Sequence, residues 1–170
     1  QFRRGFSGEI IDNGKAINIS GYFTNPAFFD LFDFKLGQGD PTTALSEPYS
    51  VVLRSDIAEK FFKEEDPIGQ ELIIEELGSF KVTGVLEEIP GKTHINFEGL
   101  ASFSSVEGLE RQDILSESLT EWEALTSGWN YFKFKGENNE KAVKAALARI
   151  AADSYNEDSE YEVVFDIQKM

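Results

Sequence analysis

The longest uninterrupted apolar run in this sequence is four residues, Ala145 to Ala148; every other hydrophobic stretch is broken sooner by a polar, charged or turn-forming residue. A bilayer-spanning helix needs about 20 predominantly apolar residues, so the sequence contains no such helix. What remains is a set of short strands and short amphipathic helices sharing a core. The material for one is present: 41% of the 170 residues are hydrophobic, among them 15 Phe. A chain of this size buries about 70% of its unfolded surface. With only 5 Pro and no low-complexity tract, it does not have the composition of a disordered segment.

Charge and cysteine content narrow the function classes. The chain carries 31 acidic against 16 basic residues, a net charge of −15. That argues against nucleic acid as a partner and against a polybasic membrane-surface protein, because both need a cationic face. The absence of cysteine removes disulfide frameworks, thiolate nucleophiles and Cys-based zinc sites. Gln1 to Gly8 lacks the apolar centre and cleavage site of a signal peptide, and the sequence does not start with Met. A piece of a longer protein is expected.

Local patterning predicts an α+β fold with mixed sheets, a few short helices and one longer C-terminal amphipathic helix. Strands are read at Phe2–Ile11 and Lys15–Phe23 around the Asn13-Gly14 turn. A short helix is expected over Pro26–Phe32 with Asn25 as its cap. Leu36 to Ser50 reads as loop, Val51–Leu53 as a buried strand, and a helix capped by Ser55 or Asp56 then ends before Asp66-Pro67. Gln70–Leu77 and Phe80–Leu86 make a hairpin across Gly78-Ser79, and Ile95–Phe103 a further strand. Gly84, inside the second hairpin strand, implies close packing or a bulge. Ser104 to Ser127 is read as loop with some helix, Trp129–Lys135 as strand, Glu140–Ala152 as helix and Tyr161–Ile167 as an alternating strand. Residues 1–170 are taken as a single domain, the alternative being two lobes, 1–23 plus 104–170 and 24–103.

No constellation carries recognisable chemistry. His94 is the sole histidine and lies beside a Pro-Gly turn; one residue type does not make a triad. No serine occupies Gly-x-Ser-x-Gly. The acidic groups Glu64-Glu65-Asp66, Glu75-Glu76 and Glu87-Glu88 are neighbours in sequence. Glycoside hydrolysis instead needs two carboxylates at a set distance across a cleft, and such runs are usually solvated. Asn156-x-Asp158-x-Glu160 lacks the glycine and the distant glutamate of a calcium loop. Gly37-Gln38-Gly39-Asp40 has no Gly-Lys-Ser/Thr behind it and reads as a turn. Asn18-Ile19-Ser20 falls in a strand, and Trp122 and Trp129 could line a groove or pack in a core. The residues therefore give no catalytic, cofactor-binding or metal-ligating site, and no cofactor is expected.

A larger pattern is carried by order. Asn25-Pro-Ala-Phe-Phe-Asp-Leu-Phe32, Leu36-Gly-Gln-Gly-Asp-Pro41, Ala44-Leu-Ser-Glu-Pro48 and Ser50-Val-Val-Leu53 follow one another. Ala58-Glu-Lys-Phe-Phe62, Asp66-Pro-Ile-Gly-Gln70, Lys81-Val-Thr-Gly-Val-Leu-Glu-Glu-Ile-Pro90 and Thr93-His-Ile-Asn-Phe97 continue the series. The ordered set resembles the extracytoplasmic core domain of MacB-like and FtsX-like ABC transporter permeases, and looks most like their Bacteroidetes-type members. Trp129-Asn-Tyr-Phe-Lys-Phe134 with the helix and strand beyond it matches more loosely.

The resemblance implies a non-enzymatic domain inserted between two membrane helices of an inner-membrane permease, on the periplasmic side. It would couple cytoplasmic ATP hydrolysis to export, extrusion or lipoprotein release; the alternative is a peptide-sensing or partner-binding domain. Implied partners are a cytoplasmic ABC ATPase, a second permease copy, and an adaptor or a peptide, lipoprotein or antibiotic cargo. Since no phosphate-binding loop is present, titration calorimetry with Mg-ATP is expected to show no saturable micromolar binding; saturable binding would refute this reading.

Overall fold

The computed structural model describes residues 1–12, 15–88, 95–115, 128–134, 139–155 and 162–168. In chain order the elements are β1 (Phe2–Asp12), β2 (Lys15–Thr24), α1 (Ala27–Phe32), β3 (Leu36–Gln38), β4 (Ser50–Leu53), α2 (Ser55–Phe62), β5 (Glu71–Ile74) and β6 (Gly78–Leu86). There follow β7 (Gly99–Ser102), a 3-10 turn (Phe103–Ser105), α3 (Val106–Arg111), β8 (Gly128–Trp129) and α4 (Asn139–Ser154). The fold is α+β, as the patterning predicts. The chain forms two compact units, 1–119 with 124–131 and 120–123 with 132–170.

In the first unit six strands close on themselves in the order β1, β2, β7, β4, β6, β5, and back to β1. The β1–β2 hairpin is antiparallel, β2–β7 and β4–β6 are parallel, and the remaining pairs are antiparallel. Closure at β5–β1 is brief: Ile74 pairs with Ile10, and the Glu75 N–H donates to Glu9 O at 2.8 Å. One set of alternating side chains, including Phe6, Ile19, Phe23, Val51, Leu53, Phe80 and Val82, fills the interior. Ile57 and Ala58 of α2 and Val106 and Leu109 of α3 join that cluster. Because α2 follows β4 and α3 follows the antiparallel β7, the two helices close opposite mouths of the barrel.

The opposite faces of β4 and β7 are also buried. Val52 and Leu100 pack with Leu86, Phe2, Phe28, Phe29, Leu45 and Phe97 in a second cluster. Phe28 of α1 is its hub, with ring centroids 5.1 to 5.8 Å from Phe2, Phe29, Phe32, Phe34 and Phe97. Pairs of this kind add about 0.5–1.5 kcal/mol each beyond the area they bury.

Several local expectations are corrected. Leu36–Gln38 is strand β3, not loop: it pairs with Leu86 and Val85 of β6, and this tertiary partner overrides a glycine-containing sequence of weak strand propensity. Ile95–Phe103 contributes strand only at Gly99–Ser102, and the segment after it holds the 3-10 turn and α3. The predicted strand Trp129–Lys135 shrinks to Gly128–Trp129, which pairs with Arg3 and Phe2; 130–134 have no ladder and Lys135 lies outside the described residues. Within 162–168 half-buried Val163, Phe165 and Ile167 alternate with exposed neighbours as expected, but no strand forms because the segment has no ladder partner among the described residues. Tyr161 is outside them. Neither α1 nor α2 has a side-chain cap bond: Asn25 offers its backbone oxygen to Phe28 N–H at 3.0 Å, and Ser55 and Asp56 are already helical.

The second unit contains α4. Lys144 reaches Asp166 at 3.1 Å and Glu140 at 3.5 Å, and Tyr155 packs on Phe165 at a centroid distance of 6.3 Å.

Two glycines set how closely the barrel strands approach. Gly84 faces Val52 where the β4–β6 register slips. A Cβ there would lie 3.1 Å from Leu36 Cδ1 and Val52 Cγ2 and 3.3 Å from Gln38 O. At Gly21 a Cβ would lie 1.8 Å from the Gly99 carbonyl oxygen. Gly84→Val should therefore cost about 1–3 kcal/mol, since side chains supply the two closest contacts and can shift. Gly21→Ala, blocked by backbone, should cost about 4 kcal/mol or more. Urea denaturation checks both, and an unchanged midpoint in either would contradict the packing.

Candidate functional site

Helix α2 starts from a fixed point. The Arg54 N–H donates to Glu98 O at 2.9 Å, and its guanidinium reaches Phe97 O at 3.0 Å and Asp56 Oδ2 at 2.8 Å, with a second bond from Nε to Asp56 Oδ1. Those donors hold the Asp56 carboxyl below the usual carboxylate range, while the same bond raises the Arg54 guanidinium. Asp56 also sits in the first turn of α2, where a negative charge complements the positive end of the helix dipole.

Beyond this anchor, Ser55, Ala58, Glu59 and Phe62 recur at helical spacing and form one wall of an open groove. The 63–68 segment forms another wall, and Gln38 of β3 and Val85 of β6 contribute from the barrel side. The groove volume is 660 Å³, within the range of small-ligand clefts, about 300–1,000 Å³. Ala58, Pro67 and Val85 are buried, whereas Ile68 leaves 38% of its surface exposed. The charged rim is acidic: Glu59, Glu64, Glu65 and Asp66 stand with one cation, Lys63. Asp66 accepts the Ile68 N–H at 3.0 Å; Glu59, Glu64 and Glu65 form no salt bridge among the described residues. Lys63 takes φ 56° and ψ −111°, a backbone conformation natural to glycine.

The structure separates the sequence candidates. Glu64-Glu65-Asp66 line the groove, whereas Glu75 and Glu76 belong to the β5–β6 turn. No three His, Cys, Asp or Glu side chains converge on a metal-sized site among the described residues. Gly37-Gln38-Gly39-Asp40 divides between β3 and a turn in which Asp40 accepts the Thr42 N–H at 2.8 Å and hydroxyl at 2.7 Å; these bonds hold its carboxyl low. Ser20, in the Asn18-Ile19-Ser20 triplet, donates its N–H and hydroxyl to Glu98 Oε2 at 2.8 and 2.9 Å. Trp129 packs edge-on to Tyr22 beneath the Arg4 guanidinium, 4.6 Å from the ring centroid. His94, Trp122 and the 156–160 triplet lie outside the described residues.

The groove itself is not readable from the sequence, because α2, β3 and β6 meet there only through tertiary pairing. The signal available was an acidic run directly after an amphipathic helix.

Residues 3–150 match the family of the MacB-like periplasmic core domain. Among solved structures, a domain assigned to a permease protein of Porphyromonas gingivalis superposes with a TM-score of 0.70 at 18% identity, covering 92% of this chain and 64% of that one. The periplasmic region of MacB from Actinobacillus actinomycetemcomitans gives 0.55 at 19% identity, covering 88% of this chain and 65% of that one. This chain thus spans a little under two thirds of each, and the likeness is one of fold. No curated protein sequence matches.

The Arg54–Asp56 pair makes stability depend on acid. The folded carboxyl is depressed relative to the unfolded one, so its contribution is present at neutral pH and is lost as pH falls through the folded value, below about 4. With Asp56 half exposed, Asp56→Asn should cost no more than about 1 kcal/mol at neutral pH. In urea melts across pH, the difference from the parent chain should close in strong acid; a constant offset would show that the ion pair contributes nothing.

Proposed function

Because the chain belongs to the family of MacB-like periplasmic core domains, whose members are non-catalytic, we propose that it couples ATP hydrolysis on the cytoplasmic side of an inner membrane to work on the periplasmic side. The family match over 3–150 carries this reading. The barrel supports it: an interior cluster and an outer aromatic cluster bury both faces of β4 and β7, leaving few soft internal surfaces to absorb a displacement. In this reading residues 1–170 act as one extracytoplasmic domain of a permease of the Bacteroidetes type, inserted between two membrane helices.

The proposed partners are a cytoplasmic ABC ATPase, reached through those helices, and a second permease copy. The work would be export, extrusion or lipoprotein release, with an adaptor, peptide, lipoprotein or antibiotic as the outer partner. No catalytic, cofactor or metal residue is assigned. A peptide-sensing role is the second reading, and the groove beside α2 is the observation that favours it.

The test is made in the full-length permease with its ATPase. Replacing the domain with a short flexible linker should abolish export or release while leaving complex assembly and basal ATP hydrolysis in place. Transport that survives the replacement would overturn the coupling role.

A further inference from the structure

We propose that the groove between α2 and the β3–β6 edge docks a cationic peptide segment of a partner protein, one that places a large apolar side chain between flanking Lys or Arg residues. This goes beyond the coupling role and stands or falls without it.

Three features select that occupant. The groove offers apolar surface from half-buried Phe62 and exposed Ile68, with Ala58, Pro67 and Val85 buried in its lining, so a bound side chain would gain by leaving water. Its rim holds four carboxylates against one ammonium, and none of the four makes a salt bridge among the described residues. An anionic or uncharged partner would leave these carboxylates uncompensated at a drying interface, whereas flanking cations would pair with them. Thirdly, the groove is open, which suits an extended segment better than an enclosed small molecule.

The net charge of −15 also attracts any polycation without specificity, so the experiment must separate the groove from that general field. The probe is a fluorescein-labelled peptide, Lys-Leu-Lys-Phe-Lys-Leu-Lys, titrated with the 170-residue chain at about 0.15 M salt. Saturable binding with Kd below about 1 mM is expected. The combined Glu59→Lys, Glu64→Lys and Glu65→Lys variant should weaken it at least about tenfold. A charge-matched control, Glu47→Lys, Glu75→Lys and Glu76→Lys, changes exposed carboxylates outside the groove and should shift Kd less than about twofold. Ile68→Ser should weaken binding about threefold or more without altering net charge. Circular dichroism and urea melts confirm that each variant folds.

Equal losses in the two triple variants would overturn the proposal in favour of the general field. So would equal affinity for Lys-Ser-Lys-Ser-Lys-Ser-Lys, or no saturable binding. Loss confined to the groove variants, with weaker binding of the serine peptide, would establish it. Neither outcome bears on whether the domain couples ATP hydrolysis to transport.

Discussion

The barrel depends on one place where two backbones nearly touch. Gly21 of β2 and Gly99 of β7 lie opposite each other in a parallel pair, and even a methyl group on Gly21 would overlap the Gly99 carbonyl oxygen. Parallel pairing requires a long connection between its strands. Here that connection comprises everything from α1 to β6, so the β2–β7 contact joins the opening hairpin to the central strands. A second clamp lies beside it: Glu98 accepts two bonds from Ser20 and donates its own N–H to Ser20 O at 2.7 Å. Closure is thus set by backbone geometry, and the apolar side chains fill the space it defines.

The consequence is a short strand pair buried on both faces. β4 and β7 have four residues each, all buried, with Val51, Leu53 and Ala101 inward and Val52 and Leu100 outward. Immediately before β4, Tyr49 holds a left-handed backbone at φ 56°, and its N–H is received by the buried Ser105 hydroxyl at 2.7 Å. Ser102 accepts the Ser50 N–H at 3.2 Å and lies 2.7 Å from Ser105. Two backbone N–H groups and two hydroxyls that burial would otherwise leave unsatisfied therefore satisfy one another.

Legibility in the sequence followed the range of the interaction. The first hairpin, the buried strand at Val51–Leu53, the helices α1, α2 and α4 and the β5–β6 hairpin could be read because each depends on periodicity or turn chemistry within a few residues. Gly84 was readable for a related reason: a glycine inside a strongly patterned strand demands a neighbour, and Leu36 and Val52 supply it. The same argument applied to Gly21 and Gly99 would have pointed to the β2–β7 approach, but neither glycine interrupts an equally clear alternation. β3 was missed because Leu36-Gly37-Gln38 is a strand only by virtue of β6. At 162–168 the reverse holds: alternation sets which side chains are sheltered, but a ladder needs a second strand. The groove was legible only as its acidic run, since the opposing wall comes from residues about twenty positions away on either side.

The two mouths of the barrel are finished by different physics, and this bears on where the domain can engage others. At the α3 end, Arg3 of β1 and Glu110 of α3 form an ion pair at 2.9 Å, with 6% and 14% of their side chains exposed. Two charges withdrawn from water repay their desolvation only when held together in a good geometry, so removing either one is costly. That end is therefore locked: moving α3 away from β1 would strand a buried charge. At the α2 end the charges lie on the surface. Arg54 and Asp56 fix the start of the helix, while its far end runs through the strained Lys63 into a rim of carboxylates facing solvent. Surface charges can be paired by an incoming partner without first breaking an internal bond. The barrel thus has one end held by a buried ion pair and another whose charges face solvent.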